Sequence, residues 1–359
     1  VEYSAPADRL VVEIESLRGG VARGRIVSIL AASADRVEPP CPWYGRCGGC
    51  DLQHLRYDAQ LDVKEAIVRD ALERIGGIRW NEEIGRFAAP QPFGSRARVE
   101  LHHNPATNEL GFFERRSNRV VDIESCLVSR PEIDDAIGAI RRADGPLPAA
   151  IQLVSGPGIV RSEPALPPIE GGSFWLRIGT IEYLVDPGSF FQSSLELLPQ
   201  LIERVMEPAG KQQSLVWDLF AGAGLFSLPL SRRFTRVLAI DSDRRAVENA
   251  SASAERNGIE NVRFTAEDIS QWLSGRKRGR GRPDLIVVDP PRSGLGKELA
   301  AALAARNPDR FAYVSCDPST LARDLRVLTA GDLRIVDIAI FDLFPQTHHV
   351  ETIVRLARG

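Results

Sequence analysis

Three residues in the second half of the chain could do chemistry together. Cys316 lies in "YVSCDPSTLARDL", where an apolar run gives way to a polar turn; Asp289 closes "LIVVDPP", and Glu351 opens the apolar run of "HHVETIVRL". A thiol and two carboxylates at such junctions can supply a nucleophile and a general base. The plain alternative for Cys316 is a small packed side chain. A second group is Cys41, Cys47 and Cys50, spaced C-x5-C-x2-C, with Cys126 farther along. The start "VEYSAPADRL" lacks the apolar core of a signal peptide, so clustered cysteines point to a metal site rather than to disulfides. Four thiolates suit a structural zinc as well as an iron–sulfur cluster.

The elements that must position these residues are clearest toward the C-terminus. "LVWDLFAGAGLFSL" reads as strand, glycine turn and helix. "TRVLAIDSD", "NVRFTAED", "PDLIVVDPP" and "RFAYVSCDP" read as further strands, separated by helical stretches. "LRIVDIAIFDLFP" and "HHVETIVRLAR" follow as two strands with no helix between them. This alternation predicts an α/β fold: a doubly wound, Rossmann-like parallel sheet with an antiparallel C-terminal edge. Ligands of such sheets bind beyond the carboxyl ends of the strands, where Asp289 and Cys316 fall. The expected domains are a short β segment over 1–40, a smaller α+β domain over 41–185, and the sheet domain over 186–359. Helical periodicity spans "DLQHLRYDAQLDVKEAIVRDALERIGGI" in the central domain.

Composition sets limits on the partners. The chain has 359 residues, 43% hydrophobic and 26% charged, with a net charge of −3. It is no polycation, so a nucleic acid would have to be met by a local basic face. Arg96, Arg98, Arg115, Arg116 and Arg119, flanking an expected hairpin, are candidates for phosphate contacts, and "GRKRGRGR" from Gly275 to Arg282 reads as a basic loop. No apolar run approaches the roughly 20 residues that cross a bilayer. A cytoplasmic monomer with no membrane contact is expected.

The glycine turn "DLFAGAG" carries a nucleotide signal. A G-x-G-x-x-G fingerprint is incomplete, because Ser227 stands at its third glycine. Asp218 before the glycines instead suits S-adenosylmethionine, whose amino group an acid can meet. Gly222 and Gly224 would let backbone and ligand approach closely. Asp241, at the next strand end, suits the ribose hydroxyls, and Asp268, at the one after, lies near the expected adenine. Helix N-capping is the alternative for these acids. A methyl donor beside a thiol and a carboxylate suggests methylation at C5 of uracil. Thiolate addition at C6 makes C5 nucleophilic, and a base must then remove the C5 proton.

The stretches "CPWYGRCGGCDLQHL", "DPGSFFQSS", "WDLFAGAGLFSL", "DPPRSGL", "YVSCDPSTLARDL" and "FDLFPQTHHVETIVRL" together resemble the S-adenosylmethionine-dependent RNA 5-methyluridine (uracil-C5) methyltransferases, iron–sulfur type, over most of the chain. The resemblance implies that Cys316 is the nucleophile and Glu351 the base, with Asp289 also orienting the uracil. It places Gln192, Phe220, Asp241, Asp268 and Asp289 on cofactor positions. It also implies a 4Fe-4S cluster on Cys41, Cys47, Cys50 and Cys126. The family pattern carries Asn where this chain has Asp317, Ser194 and Leu225. A charge at Asp317, next to a thiolate, is expected to be paired, for instance with Arg323. Residues 1–40 would form only a remnant of the RNA-binding barrel of longer members. Ribosomal RNA is the expected substrate and transfer RNA the alternative. The rival classes are an iron–sulfur oxidoreductase and a non-catalytic RNA-binding protein.

Overall fold

The strand "LIVV", flanked by sheet on both sides, is buried at every position, as a strand covered on both faces must be. It lies near the middle of an eight-stranded sheet in a computed structural model that describes residues 1–207, 213–275 and 281–359. The chain opens with a hairpin of β1 (Arg9–Arg18) and β2 (Val21–Ala31), followed by helix α1 (Tyr57–Ala71), which ends in a π-turn (Leu72–Gly76). After the short β3 (Gly85–Phe87) come β4 (Arg98–Asn104), β5 (Glu109–Phe113), β6 (Val120–Asp122), α2 (Pro131–Arg142), β7 (Ala150–Gly156) and β8 (Ile159–Glu163). Strands β4 to β8 form an antiparallel five-stranded sheet in the order β6-β5-β4-β7-β8. Ile133, Ile137 and Ile140 of α2 pack with this sheet's Leu101, Leu110 and Leu153.

A second hairpin, β9 (Phe174–Ile178) and β10 (Ile181–Val185), leads through α3 (Leu198–Met206) into the large sheet. There β11 (Gln213–Leu219), α4 (Ser227–Leu230), β12 (Phe234–Asp241), α5 (Arg244–Arg256), β13 (Val262–Ala266), α6 (Ile269–Ser274), β14 (Leu285–Val288), α7 (Gly296–Ala304), β15 (Arg310–Ser315) and α8 (Pro318–Leu328) alternate. The closing strands are β16 (Leu333–Phe341) and β17 (Glu351–Arg358). The order is β13-β12-β11-β14-β15-β17-β16-β3, and the first five strands are parallel.

The closing pair differs from a simple antiparallel edge. β17 inserts between β15 and β16 and runs antiparallel to both. The outermost strand is β3, which pairs parallel with β16. A three-residue strand carries too little pattern to be read from sequence. Residues of the 41–185 segment also join the core of this sheet. Val68, Ala71 and Leu72 of α1 and its π-turn pack with Trp217, Ile286 and Tyr313, and β9–β10 packs on the opposite face with Val216 and Phe341. The basic stretch from Gly275 to Arg282 falls mostly outside the described residues; Arg282, at its end, pairs with Asp309. Among the described residues no helix is long and apolar enough to cross a membrane.

Ile353 sits fully buried in β17, opposite Val314 of β15 and Ala339 of β16. Ile353→Ala is expected to cost about 2–5 kcal/mol of unfolding free energy by urea titration, because the cavity opens inside a sheet that cannot collapse around it. A loss under about 1 kcal/mol would show that this strand is not part of the cooperative core.

Candidate active site

Strand register brings the three reactive residues together. Ser315, the last residue of β15, pairs with Thr352 of β17, so Cys316 and Glu351 continue adjacent strands at the same edge. Asp289 follows directly on β14, the other neighbour of β15. The three groups feel one another electrically. Burial raises the half-buried Cys316 thiol to about 11, and the charges of Glu351 and Asp289 add to this, while Arg292 works against it. Burial and then the charge of Asp289 hold Glu351 well above the usual carboxylate range. Glu351 is only 3% exposed, and its Oε1 has no hydrogen-bond partner. An unsatisfied buried carboxyl oxygen is costly, and it marks a place built for something other than stability.

The loop after Asp289 is stapled to the helix after Cys316. Asp324, fully buried, accepts from Leu295 N at 2.6 Å and from the Tyr313 hydroxyl at 2.8 Å. Arg323 donates to Ser293 O at 2.8 Å, and Thr320 to Arg292 O at 3.1 Å. A side chain on Gly294, at φ +70°, would meet Asp324 Oδ2 at 2.5 Å, so the staple leaves room for glycine alone. Sequence reading found the motif but not these partners, nor Arg292.

Asp317 is not paired with Arg323, which binds Asp324 instead. Its Oδ1 accepts from Ser319 N and Thr320 N, both at 2.9 Å, as the N-cap of α8. The helix end, with its free N–H groups and dipole, is the better partner for a charge at this position. The "DPST" pattern, with Pro at the first helical position, signals that cap.

The glycine turn after β11 lies on the same edge. Phe220 adopts φ +61° and Gly222 φ +51°; for a non-glycine residue that conformation is strained and clusters at functional sites. Both oxygens of Asp241 are held by backbone, from Gly222 N at 2.7 Å and Asp243 N at 2.8 Å. Asp218 is fully buried; Ser227 donates to its Oδ2, and its Oδ1 has no partner. The serine at the missing third glycine thus serves to hold Asp218. Burial, with the charge of Asp241 adding to it, pushes Asp218 up to about 7. Asp289 also rises to about 7, through burial and the charges of Asp218 and Asp241. Gln192 is buried on the stretch between β10 and α3. Arg98 of β4 anchors that stretch, donating to Ser189 O and Pro187 O at 2.7 Å each. Asp268 is exposed and caps α6, accepting from Gln271 N at 3.0 Å.

Cys41, Cys47, Cys50 and Cys126 line one small pocket, walled by Trp43, Phe112 and Ile123 with Arg96 at its side. Burial raises the thiols of Cys41, Cys47 and Cys50, the last to about 12, and the charge of Cys126 adds to each. Such a set favours thiolates only around a cation. Among the described residues, no group of three or more His, Cys, Asp or Glu side chains is placed to hold a metal ion.

Arg96 also lines a neighbouring groove of about 730 Å³, with Arg98, Arg115, Arg116, Arg292 and His349. Within it Arg115 and Arg116 pair with Glu2, while Arg119 pairs with Glu114 outside the lining.

A family model described as tRNA (Uracil-5-)-methyltransferase matches residues 176–359. An "Uncharacterized RNA methyltransferase" of Thermotoga maritima is 31% identical, over 100% of this chain and 93% of its own length. The 23S rRNA (uracil(1939)-C(5))-methyltransferase RlmD of Pseudomonas entomophila is 32% identical, over 95% of this chain and 85% of its own. Among solved structures, the Pyrococcus abyssi tRNA (uracil-54, C5)-methyltransferase in complex with S-adenosyl-L-homocysteine superposes with a TM-score of 0.75 at 26% identity, covering 99% of this chain and 95% of that one. The mixed sheet is that of the class I methyltransferases, and the chain belongs to the S-adenosylmethionine-dependent RNA uracil-5-methyltransferase family.

Proposed function

We propose that the chain methylates C5 of a uridine in ribosomal RNA through a covalent bond between Cys316 and C6. The observation that carries this reading is the convergence of Cys316, Glu351 and Asp289 on one sheet edge, where each perturbs the ionisation of the next. The arginine-lined groove holds Arg292, which also acts on Cys316, so it supports an RNA path to that edge. Ribosomal RNA is favoured by the 32% identity to the RlmD relative, against 26% for the tRNA enzyme.

The residues take these roles. The uridine must leave its stack, at a cost of roughly a few kcal/mol, to reach the edge. As sulfur adds to C6, the Cys316 proton passes to Asp289, which is part-ionised near neutral pH. The C5–C6 π electrons shift toward O4, making C5 nucleophilic. Gln192, Phe220, Gly222, Gly224, Asp241 and Asp268 would hold S-adenosylmethionine, with Asp218 and Asp289 near its positive charge, and it would supply an electrophilic methyl group for C5. Glu351 then takes the C5 proton, the double bond re-forms, and the thiolate leaves C6. A carboxylate held well above its ordinary range is the stronger base once ionised.

The cysteine pocket is proposed to hold a 4Fe-4S cluster. What supports this reading is that all four cysteines line one pocket, four thiolates being the ligand set of such a cluster. Anaerobically purified protein should contain about four irons and four sulfides per chain; stoichiometric zinc without iron refutes this.

Cys316→Ala should abolish both methylation and covalent RNA capture, by several orders of magnitude. Glu351→Gln should still capture RNA and transfer methyl, leaving a labelled protein–RNA band on a denaturing gel. Normal turnover by either variant rejects the assignment. Mapping of 5-methyluridine in RNA from a deletion strain separates ribosomal from transfer RNA substrates.

Ionisation gives a further check. Asp218 and Asp289 near 7 must lose protons to meet the α-ammonium group that S-adenosylmethionine and S-adenosylhomocysteine share. S-adenosylhomocysteine should therefore bind more tightly as pH rises from 6 to 8, by roughly tenfold per ionising group, and release protons as it binds. Calorimetry in buffers of different ionisation enthalpy measures this, and a flat profile contradicts it.

A further inference from the structure

Glu351 is delivered to the edge by the loop between β16 and β17, and that loop is gripped from outside the site. Asp342, at its start, is 1% exposed and forms an ion pair with fully buried Lys64 of α1. Lys64 also donates to Phe344 O at 3.0 Å, and the Tyr57 hydroxyl to Asp342 Oδ2 at 2.8 Å. At the loop's centre, Gln346 sits at φ +68° and is held on every side. Its N–H donates to Gln60 Oε1 at 3.1 Å, Gln60 Nε2 donates to its Oε1 at 3.0 Å, and its carbonyl accepts from Asp51 N and Leu52 N at 3.0 Å each. Asp51 then accepts from His348 N at 2.8 Å and pairs with the His348 ring, three residues before Glu351.

The charges that act on the Cys316 thiol are those of Glu351, Asp289 and Arg292, none of them part of this grip. The nucleophile has a separate support, made of β15, the Asp317 cap and the Asp324 staple. A buried ion pair is poor value for stability, since an apolar pair of similar volume often does as well, but it allows only one arrangement of its two carriers. Gln346 is likewise held in a strained backbone conformation, which persists only where the surroundings over-determine it.

We infer that Lys64, Gln60 and Asp51 are positioning residues for Glu351: by fixing the 342–350 loop they set the rate at which the C5 proton is removed and the RNA released, and not the rate of attack or methyl transfer. The inference rests on the reading of Cys316 as nucleophile and Glu351 as base. It predicts that damage to the grip mimics a weakened base rather than a weakened nucleophile.

The test uses the full chain as purified, labelled S-adenosylmethionine and a ribosomal RNA fragment methylated by the wild type. Gln60→Ala, Tyr57→Phe and the double variant Lys64→Met/Asp342→Leu, which leaves no unpaired charge, are compared in single turnover. Expected are methyl transfer within about threefold of wild type, release of free methylated RNA slowed at least tenfold, and accumulation of the protein–RNA band. Thermal melts and S-adenosylhomocysteine affinity confirm folding; should the double variant not fold, the two single variants give the reading. Release at the wild-type rate, or transfer and release falling by the same factor, overturns the inference. Glu351→Gln is run in parallel. If it traps RNA while the grip variants release normally, the positioning inference alone fails. If it traps nothing, the base assignment fails and the inference with it.

Discussion

Acids crowd one sheet edge. Asp218, Asp289 and Glu351 all rise above the usual carboxylate range, and Asp241 adds its charge to the first two. Burial contributes most to each shift, and the neighbouring charges enlarge it. A fold does not gather such groups for stability, because each charge removed from water needs a partner. The arrangement makes sense as a site that is electrically incomplete until a cation enters. The backbone bonds to Asp241 and the Ser227 bond to Asp218 hold two of the acids in place against their mutual repulsion.

Much of this was readable in the sequence because it depends on local pattern. Apolar runs ending in Asp or Cys identified β11, β12, β14 and β15 and put Asp289 and Cys316 on a common edge. The same pattern could not separate ligand from cap. Asp268 and Asp317 occupy the same kind of junction as Asp241 and Asp289, and both also cap helices. What stayed hidden was long-range pairing. Lys64 in "LDVKEAIV" carries no sign of its burial, because its partner Asp342 lies 278 residues away. Arg98 read as a phosphate contact, but its guanidinium is engaged by the backbone carbonyls that hold the Gln192 stretch. The three-residue β3 was invisible for want of length.

Arg96 gives the cysteine pocket and the groove a common wall. Its charge lowers the thiols of Cys47 and Cys50, opposing their burial, while its position serves the groove. On the far side of the same short segment, Asp51 and Leu52 reach Gln346. The segment 41–52 therefore touches the pocket, the groove and the loop that ends in Glu351, which explains why so dense a run of Cys, Gly and aromatic residues sits there.

β17 follows every other strand of the large sheet along the chain, yet it lies inside the sheet, between β15 and β16. During synthesis, which proceeds from the N-terminal side, β11 to β15 can associate while β15 still presents an open edge. The segment holding Cys316 is thus made and paired before the residue proposed to free it from RNA. A nascent chain arrested between the two would carry Cys316 without Glu351. Closing the sheet and completing the proposed reaction cycle depend on the same late event, the threading of residues 351–358 into the gap.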